Sequence, residues 1–400
     1  MIEDTDIFVS GGGIAGLVAA AAFGQAGFSV VLADPAPPPE TMEAEGSDLR
    51  STAYLQPSRD LMDAAALWPA LEAHATPLEV LRVIDTTGWP PVERARRDFR
   101  ADDLSDRPFG WNLPNWLTRK VLAETIADLP NVRLCLGTGF RTLLARESEA
   151  LVTLTDGTRL RARLVVGADG RTSPVREAAG IASTRTGYGQ RAFALAALHE
   201  HPHENISTEI YNRGGAFTLV PMPDVDGTPC SAVVWMNDGP EAARLDALDA
   251  DGFDAHMTER SLGLLGRLTT TGPRRLWPVI TQTADRLTAR RTALIAEAAH
   301  VLPPIGAQGL NTSLQDIAAL VRLAAGDPAH LGEAPMLDAY SRQRSADIHL
   351  RAKVIDLFNR VCKSDAPPVQ ALRLAGLKAV HDIAPIRRAV MQAGLGRQAT

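Results

Sequence analysis

A glycine-rich turn near the start of the chain constrains its fold more than any other segment. Residues 6–10 form a short apolar run typical of a buried strand, and Gly11-x-Gly13-x-x-Gly16 and an alanine-rich helical stretch follow at once. The first glycine permits a tight turn, the second lets a pyrophosphate approach the backbone, and the third lets the helix pack closely on the strand. The pattern therefore predicts a dinucleotide site at the N-terminus of the helix. The candidate contacts are Gly11, Gly13, Ile14, Ala15 and Gly16.

The second predicted strand ends at an acidic residue. Residues 29–33 are mainly apolar, and Asp34 follows them where a carboxylate accepts hydrogen bonds from the adenosine ribose. Strand, turn, helix and terminal acid together favour a dinucleotide. A glycine-rich turn with a capping aspartate is the simpler alternative. These segments alone do not distinguish a nicotinamide from a flavin.

Two later segments also have the form of a strand that runs into a turn. Residues 164–168 lead into Asp169 and Gly170, and Ser173 with the proline after it is typical of a helix start. Residues 293–296 lead into a second turn, rich in proline and glycine, and then into a helix. Backbone N–H groups at the start of that helix would stabilise negative charge on a ligand.

Taken together, the three segments resemble the flavin contacts of the class A FAD-dependent monooxygenases, which include 4-hydroxybenzoate hydroxylase and the ubiquinone-biosynthesis hydroxylases. The middle segment is similar to the family's GADG-x-x-S-x-x-R motif, and the last segment is similar to its GDAAH…P…GQG-x-N motif. The segment around Arg50 resembles the family's arginine segment, and the strand around Asn112 resembles one near the flavin. The likeness covers most of the chain and is closest to the 2-polyprenylphenol hydroxylases of ubiquinone biosynthesis.

The resemblance implies roles for single residues. Arg50 would reach the FAD pyrophosphate and ribityl chain, since a guanidinium donates two hydrogen bonds to an anion; a surface arginine on a helix is the simpler alternative. Asp169 and Gly170 would close around the pyrophosphate, and Asp169 would also serve nicotinamide recognition. Glu297 would bond the ribityl chain, and the other contacts that the resemblance implies in the last segment are Pro304, Gln308, Gly309, Leu310 and Asn311. For His300 a structural role is favoured over proton transfer, and so is a structural ion-pair role for the charged helix after residue 340.

Two positions depart from the family pattern. Ala296 and Glu297 replace the usual Gly-Asp pair, and Ala307 replaces the usual glycine before Gln308. Glutamate keeps the carboxylate but adds a methylene, and an alanine restricts the turn where a positive φ is needed. Both departures leave the chemical groups in place, but they bring flavin affinity into question.

The resemblance implies an α/β fold in which a Rossmann-like FAD-binding domain carries an inserted antiparallel-sheet substrate domain and a C-terminal helical tail. Because the flavin motifs are separated along the chain, the FAD-binding domain is predicted to be discontinuous. Its segments are residues 1–75, 108–182 and 276–345, with residues 76–107 and 183–275 as the substrate domain and residues 346–400 as the helical tail. Within the substrate domain, the pattern predicts strands at residues 191–195, 216–221 and 231–235 and a helix at residues 246–265.

The implied reaction is the hydroxylation of an aromatic ring with NAD(P)H and O₂ by a flavoprotein. NAD(P)H reduces FAD, reduced FAD forms a flavin hydroperoxide with O₂, and this electrophile hydroxylates a phenolic ring in a dry pocket. Because the flavin carries the chemistry, no side chain is assigned as catalytic, and no metal site is predicted. The nearest branch implies a polyprenylated phenol of ubiquinone biosynthesis as substrate. The alternatives are a hydroxylase of a soluble phenol, a prenyl reductase of the same fold and a flavin-less scaffold of a biosynthetic complex.

Charge is distributed unevenly along the chain. The net charge of −6 argues against a general nucleic-acid binder, yet residues 351–400 contain nine Lys or Arg and three acids. This basic tail predicts docking to an anionic membrane or to an acidic partner, such as a ubiquinone-biosynthesis complex or a second copy; an ordinary solvated helix is the alternative. No apolar run is long enough to span a membrane, the first residues are acidic, and three scattered cysteines form no disulfide pattern. We therefore expect a cytoplasmic protein that is peripheral on the inner membrane.

Overall fold

The computed structural model describes residues 2–396. The strands are β1 Ile2–Ser10, β2 Val30–Asp34, β3 Ser51–Leu55, β4 Thr76–Leu78, β5 Val80–Thr87, β6 Val92–Arg100, β7 Gly110–Pro114, β8 Val132–Leu136, β9 Phe140–Ala145, β10 Ala150–Leu154, β11 Arg159–Gly167, β12 Ser183–His199, β13 Ile206–Asn212, β14 Gly215–Val225, β15 Thr228–Asp238, β16 Leu268–Ala284, β17 Thr288–Ala289, β18 Thr292–Leu294 and β19 His300–Val301. The helices are α1 Ile14–Gln25, α2 Gln56–Ala64, α3 Trp68–Leu71, α4 Asn115–Ala127, α5 Pro174–Ala178, α6 Gly239–Asp246, α7 Ala250–Arg260, α8 Ala296–Ala299, α9 Gln308–Gly326, α10 Ala334–Lys363, α11 Pro367–Asp382 and α12 Ala384–Leu395.

The first sheet brings the ends of the three sequence motifs together. Its strands run in the order β17-β18-β11-β1-β2-β8, and the pairs from β18 to β8 are parallel, with β10 and β9 added antiparallel beside β11. Helix α1 is buried from Ala15 to Gly24, as expected for a helix that is apolar on all sides. Because β1, β11 and β18 are parallel, the turns that follow them meet at one edge of the sheet, where α/β folds bind ligands.

The second sheet separates a packed core from a cavity. Its strands run in the order β19-β16-β12-β15-β14-β13-β5-β6, and the pairs are antiparallel except for the parallel pair β13–β5. One face packs on α6 and α7 through a buried aromatic cluster that includes Phe193, Trp235 and Phe253. Because successive side chains alternate between faces, the neighbouring residues Ala194 and Val234 line the cavity on the other face. The three predicted strands lie in β12, β14 and β15.

The single helix predicted at residues 246–265 is wrong. Helix α6 ends at Asp246, and α7 begins at Ala250 after Asp249, whose carboxylate accepts a hydrogen bond from the Gly252 N–H at 2.8 Å. This side-chain cap begins a new helix, and it competes with continuation of the first. After Arg260 the backbone enters the left-handed region at Leu262, with φ +61°, so the second helix ends there.

At the C-terminal end of the chain, helices α10 and α11 pack beside the second sheet, and α12 packs on α11. Helix α10 is continuous from Ala334 to Lys363, so the proposed tail boundary at residue 346 lies inside it, and the proposed boundary at residue 276 lies inside β16. Helix α11 begins at a proline, which suits the first helical position because that N–H has no intrahelical partner. Residues 397–400 of the predicted tail lie outside the described residues. Within residues 2–396, no helix is long and apolar enough to cross a membrane.

Candidate active site

A cavity of about 1490 Å³ lies between the two large sheets and the C-terminal helices. Pockets for drug-sized ligands measure roughly 300–1,000 Å³, so this cavity has room for a dinucleotide and a second ligand. Most of the contacts predicted from the sequence line it. These are Gly11, Gly13, Ile14, Ala15, Asp34, Arg50, Asn112, Asp169, Gly170, Glu297, Pro304, Gln308, Gly309 and Leu310. The lining does not include Gly16 and Asn311.

The glycine turn before α1 fits a pyrophosphate. At Gly11, with φ +108°, an added Cβ would collide with the carbonyl oxygen of Ala168, and at Gly16 it would collide with that of Gly11. At Gly13, by contrast, an added Cβ would meet no atom within 4 Å, because that position faces the cavity. No side chain caps the N-terminus of α1, so its first N–H groups are free to bind an anion.

Asp34 is held against the glycine turn. Its carboxylate accepts hydrogen bonds from the Gly12 N–H at 2.6 Å and from the Ala36 N–H at 2.8 Å. Arg119 of α4, which the sequence analysis did not identify, donates to the carbonyl oxygens of Gly12 and Ala36 at 2.7 and 2.6 Å. Arg119 therefore fixes the turn and adds positive charge beside the predicted phosphate site. Its position in a mixed polar and apolar helix gave no signal of this contact.

The Asp169 carboxylate accepts hydrogen bonds mainly from residues around the turn that precedes α5. It accepts bonds from the Ser173 hydroxyl, from the Val175 N–H at 3.0 Å and from the Ser10 hydroxyl at 3.3 Å. Burial raises the pKa of this carboxyl, and these bonds act in the opposite direction. The side chain thus shapes the turn that carries Gly170 into the cavity wall, and its role in nicotinamide recognition stays a prediction.

Arg50 lies in the cavity wall rather than on a helix, so the alternative of a surface helical arginine is wrong. Its guanidinium donates to both carboxylate oxygens of Asp48, at 2.8 and 2.7 Å, and lies 5.0 Å from the ring centroid of Trp277. Burial alone would raise the pKa of Asp48, but the Arg50 hydrogen bonds and charge hold it below its usual value. Arg171 also lies 5.8 Å from the ring centroid of Trp277, and it forms an ion pair with Glu297 at 3.4 Å.

The third motif forms a turn with left-handed backbone. Ala296, Gly306 and Ala307 have φ values of +56°, +59° and +54°, so both alanines that depart from the family pattern adopt a conformation that favours glycine. No side chain caps the N-terminus of α9, and Gln308 to Leu310 line the cavity there. A second uncapped helix N-terminus therefore faces the same cavity as α1, which suits a cofactor that carries a pyrophosphate and gains negative charge on reduction.

Hydrogen bonds of Asn311 and His300 hold this motif in place, and His300 also belongs to the cavity lining. The Asn311 side chain accepts bonds from the Leu55 N–H at 2.9 Å and from the Ser58 hydroxyl at 2.6 Å, so it joins α9 to β3 and α2. The Nε2 of His300 lies 2.6 Å from a carboxylate oxygen of Asp316, and both side chains are almost fully buried. These contacts agree with the structural role favoured for His300.

The part of the cavity next to the second sheet is mainly apolar. Its walls include Val83, Val220 and Val234 of the sheet and Leu302 after β19. The sequence analysis did not identify two polar residues of this wall, Glu209 and Tyr211 of β13, and the sequence pattern of this strand alone held no signal for them. The arrangement can hold a planar cofactor at one end and an apolar ring at the other, with water excluded between them.

Comparisons with known proteins agree with this geometry. The family model of the FAD binding domain matches residues 4–351. The ubiquinone hydroxylase UbiL of Rhodospirillum rubrum is 34% identical over 395 residues, which cover 98% of this chain and 89% of that protein. The 3-demethoxyubiquinol 3-hydroxylase of Escherichia coli is 25% identical, and the match covers 98% of this chain and 99% of that one. The crystal structure of p-nitrophenol 4-monooxygenase PnpA from Pseudomonas putida DLL-E4 has a TM-score of 0.80 at 19% identity over the whole of both chains.

Proposed function

Because the chain belongs to the FAD binding domain family and is an FAD-dependent monooxygenase, we propose that it hydroxylates the ring of a polyprenylated phenol in ubiquinone biosynthesis. When bound, FAD supplies the redox chemistry: two electrons from NAD(P)H and one O₂ place one oxygen atom in a ring C–H bond, and the other leaves as water. The protein binds and orients both partners. The N-termini of α1 and α9 hold the cofactor, and the second sheet provides a dry wall for the ring.

One observation carries the proposed substrate class. The cavity continues from the flavin motifs to an opening that is lined by apolar side chains of the C-terminal helices. Leu357 of α10 and Leu372 of α11 belong to the cavity lining, yet 64% and 65% of their surface is exposed. A soluble phenol does not need an apolar opening, whereas a prenyl chain that extends from a ring beside the flavin does.

We further propose that this opening docks on an anionic membrane. We call the exposed apolar residues of α10 to α12 the apolar rim. The rim comprises Leu350, Val354, Leu357, Phe358, Leu372, Ile383, Ile386 and Val390. Lys353, Lys378 and Arg388 are exposed on the same three helices, which belong to the basic part of the chain. Apolar insertion and attraction to anionic lipid add together, and the prenyl chain would then pass from bilayer to cavity without crossing water.

The experiment that tests the reaction uses the purified protein saturated with FAD. Anaerobic addition of NADH or NADPH should bleach the two visible flavin bands, and air should restore them. With a polyprenylated phenol in detergent micelles under ¹⁸O₂, mass spectrometry should find one ¹⁸O atom in the product. Matched reactions with a water-soluble phenol should give at least about tenfold less product, since they lose the burial of the prenyl chain.

The outcomes separate the alternatives. Equal turnover of the soluble phenol would replace the lipid substrate with a soluble one. Reduction of the prenyl double bonds without ¹⁸O in the product would favour the prenyl reductase. A purified protein without flavin absorbance that neither binds added FAD nor is stabilised by it would contradict the monooxygenase assignment and favour the scaffold.

A further inference from the structure

A carboxyl group faces the cavity from the middle of the second sheet. Side chains of β13 alternate between its two faces, so Ser207, Glu209 and Tyr211 line the cavity. Ile210 between them is fully buried in the aromatic core on the opposite face. The position of Glu209 is therefore fixed by the register of a central strand, and only 9% of its surface is exposed.

Glu209 has no basic partner, unlike the other carboxylate that this sheet presents to the cavity. Asp85 of β5 is paired with Arg94 and Arg373 at 2.5 Å each. Among residues 2–396, no Lys, Arg or His forms an ion pair with Glu209, and the nearby Arg373 is paired with Asp85. Its carboxylate instead accepts a hydrogen bond from the Tyr211 hydroxyl, and the backbone N–H of Gly306 lies near enough to lower the pKa of the carboxyl. A buried carboxyl that is hydrogen-bonded but unpaired is costly, so it is a candidate for function.

The contact with Gly306 places Glu209 beside the flavin end of the cavity. Gly306 belongs to the turn that leads into α9, which faces the cavity next to Gln308 and Gly309. A ring that lies between this turn and the second sheet would therefore have its substituents within reach of Glu209. The neighbouring wall residues Val83, Ala194 and Val220 offer such a ring only apolar contacts.

We propose that Glu209 is a catalytic residue that accepts the proton of the substrate's ring hydroxyl, and that Tyr211 positions its carboxylate. This inference rests on the proposed function, because it requires a phenolic substrate. In the step, the phenol O–H bond breaks, the proton passes to a carboxylate oxygen, and the electron pair stays on the ring oxygen. The resulting phenolate is richer in electrons at its ring carbons than the phenol, so it reacts faster with an electrophilic oxygen.

The hydrogen-bonding capacity of the site allows this step. An ionised carboxylate offers about four acceptor positions, and the Tyr211 hydroxyl occupies one of them, so positions remain for the substrate even with the Gly306 N–H nearby. Burial raises the pKa of Glu209 and outweighs the Tyr211 and Gly306 groups, which lower it. The raised pKa brings the basicity of the carboxylate closer to that of a phenolate. The other titratable groups near the pair are Cys362 of α10, Arg373 of α11 and Asp85 of β5.

The competing explanation is that Glu209 only anchors the turn at Gly306. Glu209→Gln distinguishes the two, because an amide oxygen still accepts the Gly306 N–H bond but does not take up a phenol proton. Tyr211→Phe removes the positioning hydroxyl, and Glu204→Gln, at an exposed position just before β13 and outside the cavity lining, is the matched control. The protein is saturated with FAD throughout, and the probe is 2-prenylphenol.

Two measurements are made on each variant over a range of pH. The first is the ultraviolet difference spectrum of bound 2-prenylphenol, which reports its ionisation without turnover. The second is the ratio of hydroxylated product to NAD(P)H consumed. Wild type and Glu204→Gln should bind the probe as phenolate below the pKa of about 10 that is usual for a phenol. Glu209→Gln should bind it as neutral phenol and form product about 100-fold more slowly, with recovery at alkaline pH. Tyr211→Phe should fall between them.

The outcomes distinguish failure of this role from failure of the proposed function. If Glu209→Gln shows the wild-type ionisation of the probe and the wild-type pH profile, the proton-accepting role is wrong and the hydroxylase proposal is unaffected. If Glu209→Gln instead loses FAD binding and thermal stability while its pH profile is unchanged, Glu209 is only an anchor. If the wild type neither binds nor hydroxylates the probe or any longer prenylated phenol, the proposed function fails, and the role of Glu209 fails with it.

Discussion

At the scale of single residues, two alanines beside the flavin site hold a backbone conformation that glycine adopts more readily. Ala296 and Ala307 have φ values of +56° and +54°, and an L-residue in this left-handed region costs about 1–2 kcal/mol. Both positions are those at which the sequence departs from the glycines of the family pattern. The turn thus keeps its shape through the packing around it, at a local cost in stability.

Replacement of Ala307 with glycine should stabilise the protein. Relief of the left-handed strain gives about 1–2 kcal/mol, and the freer unfolded chain offsets about 0.4–1 kcal/mol of it, so we expect a net gain of up to about 1 kcal/mol. Ala318→Gly in the exposed, regular part of α9 is the control and should lose about 1 kcal/mol. Urea unfolding of the FAD-saturated proteins measures both. Equal losses for the two variants would show that Ala307 is unstrained.

The buried carboxyl of Glu209 should make stability depend on pH. Burial raises its pKa above the ordinary 4.5, so the folded protein holds this proton at pH values at which the unfolded chain has lost it. The stabilisation that protonated Glu209 contributes is complete below the pKa of this residue in the unfolded chain. It is lost as the pH rises through the pKa of Glu209 in the folded protein. Glu209→Gln should therefore gain stability relative to wild type as the pH rises above the ordinary pKa of 4.5. A constant difference in unfolding free energy over this range would rule out a raised pKa.

At the scale of structural elements, a buried network of charges joins the flavin turn to the long helix α10. Arg344 of α10 donates to Asp316 of α9 at 2.7 Å, and Asp316 also contacts His300. Further along α10, Arg351 donates to the Gln308 side chain at 2.7 Å. Three elements that are distant in sequence thus hold the turn that would face the isoalloxazine. A substitution in this network should therefore weaken FAD binding.

Asp316→Asn should destabilise the protein by about 3 kcal/mol. That value is the lower end of the range for a broken buried ion pair, because Arg344 keeps its second partner, Asp347. The exposed residue Asp338 of α10 supplies the control, and Asp338→Asn should change stability by less than about 0.5 kcal/mol. Thermal unfolding with and without FAD checks both values, and weaker FAD binding should accompany the loss. A loss as small as that of the control would mean that the network carries little of the stability.

The sequence predicted the parts of this site that depend on local rules. The turn before α1 and the turn after β11 follow from residue types that a few neighbouring positions require, such as Gly11 and Asp169. Glu209 and Arg119 could not be predicted in this way, because strand pairing and helix packing over long range bring them to the cavity. The break between α6 and α7 was not predicted, because helical periodicity continues through it and does not show the cap that Asp249 forms.

At the scale of the whole molecule, the apolar rim should control membrane binding. Replacement of Leu357, Leu372 and Val390 by serine should weaken binding to vesicles of phosphatidylcholine and phosphatidylglycerol by at least about tenfold, since each buried side chain contributes more than 1 kcal/mol. Leu144→Ser, on β9 and 55% exposed, is the control and should have no effect. Flotation of the FAD-saturated protein with vesicles measures binding. Higher salt should weaken it as well, because the exposed lysines and arginines act through charge.

Absence of vesicle binding in the wild type would exclude membrane docking. The basic helices would then fit an acidic protein partner of a biosynthetic complex instead. Binding that is equally strong on neutral and anionic vesicles would leave the apolar rim as the docking element and remove the basic residues from it.

The continuity of the cavity sets an order of assembly. A single hollow runs from the glycine turn to the apolar rim, so the bound flavin itself would complete the walls of the chamber in which the ring reacts. Before FAD binds, the cavity is larger than a lipid substrate alone needs. The cavity becomes selective for the substrate only after the cofactor is in place. By reciprocity, a ring that binds better to the FAD-loaded protein must also tighten the binding of FAD by the same factor. The supply of FAD would therefore decide how much of this protein can recognise its substrate at all.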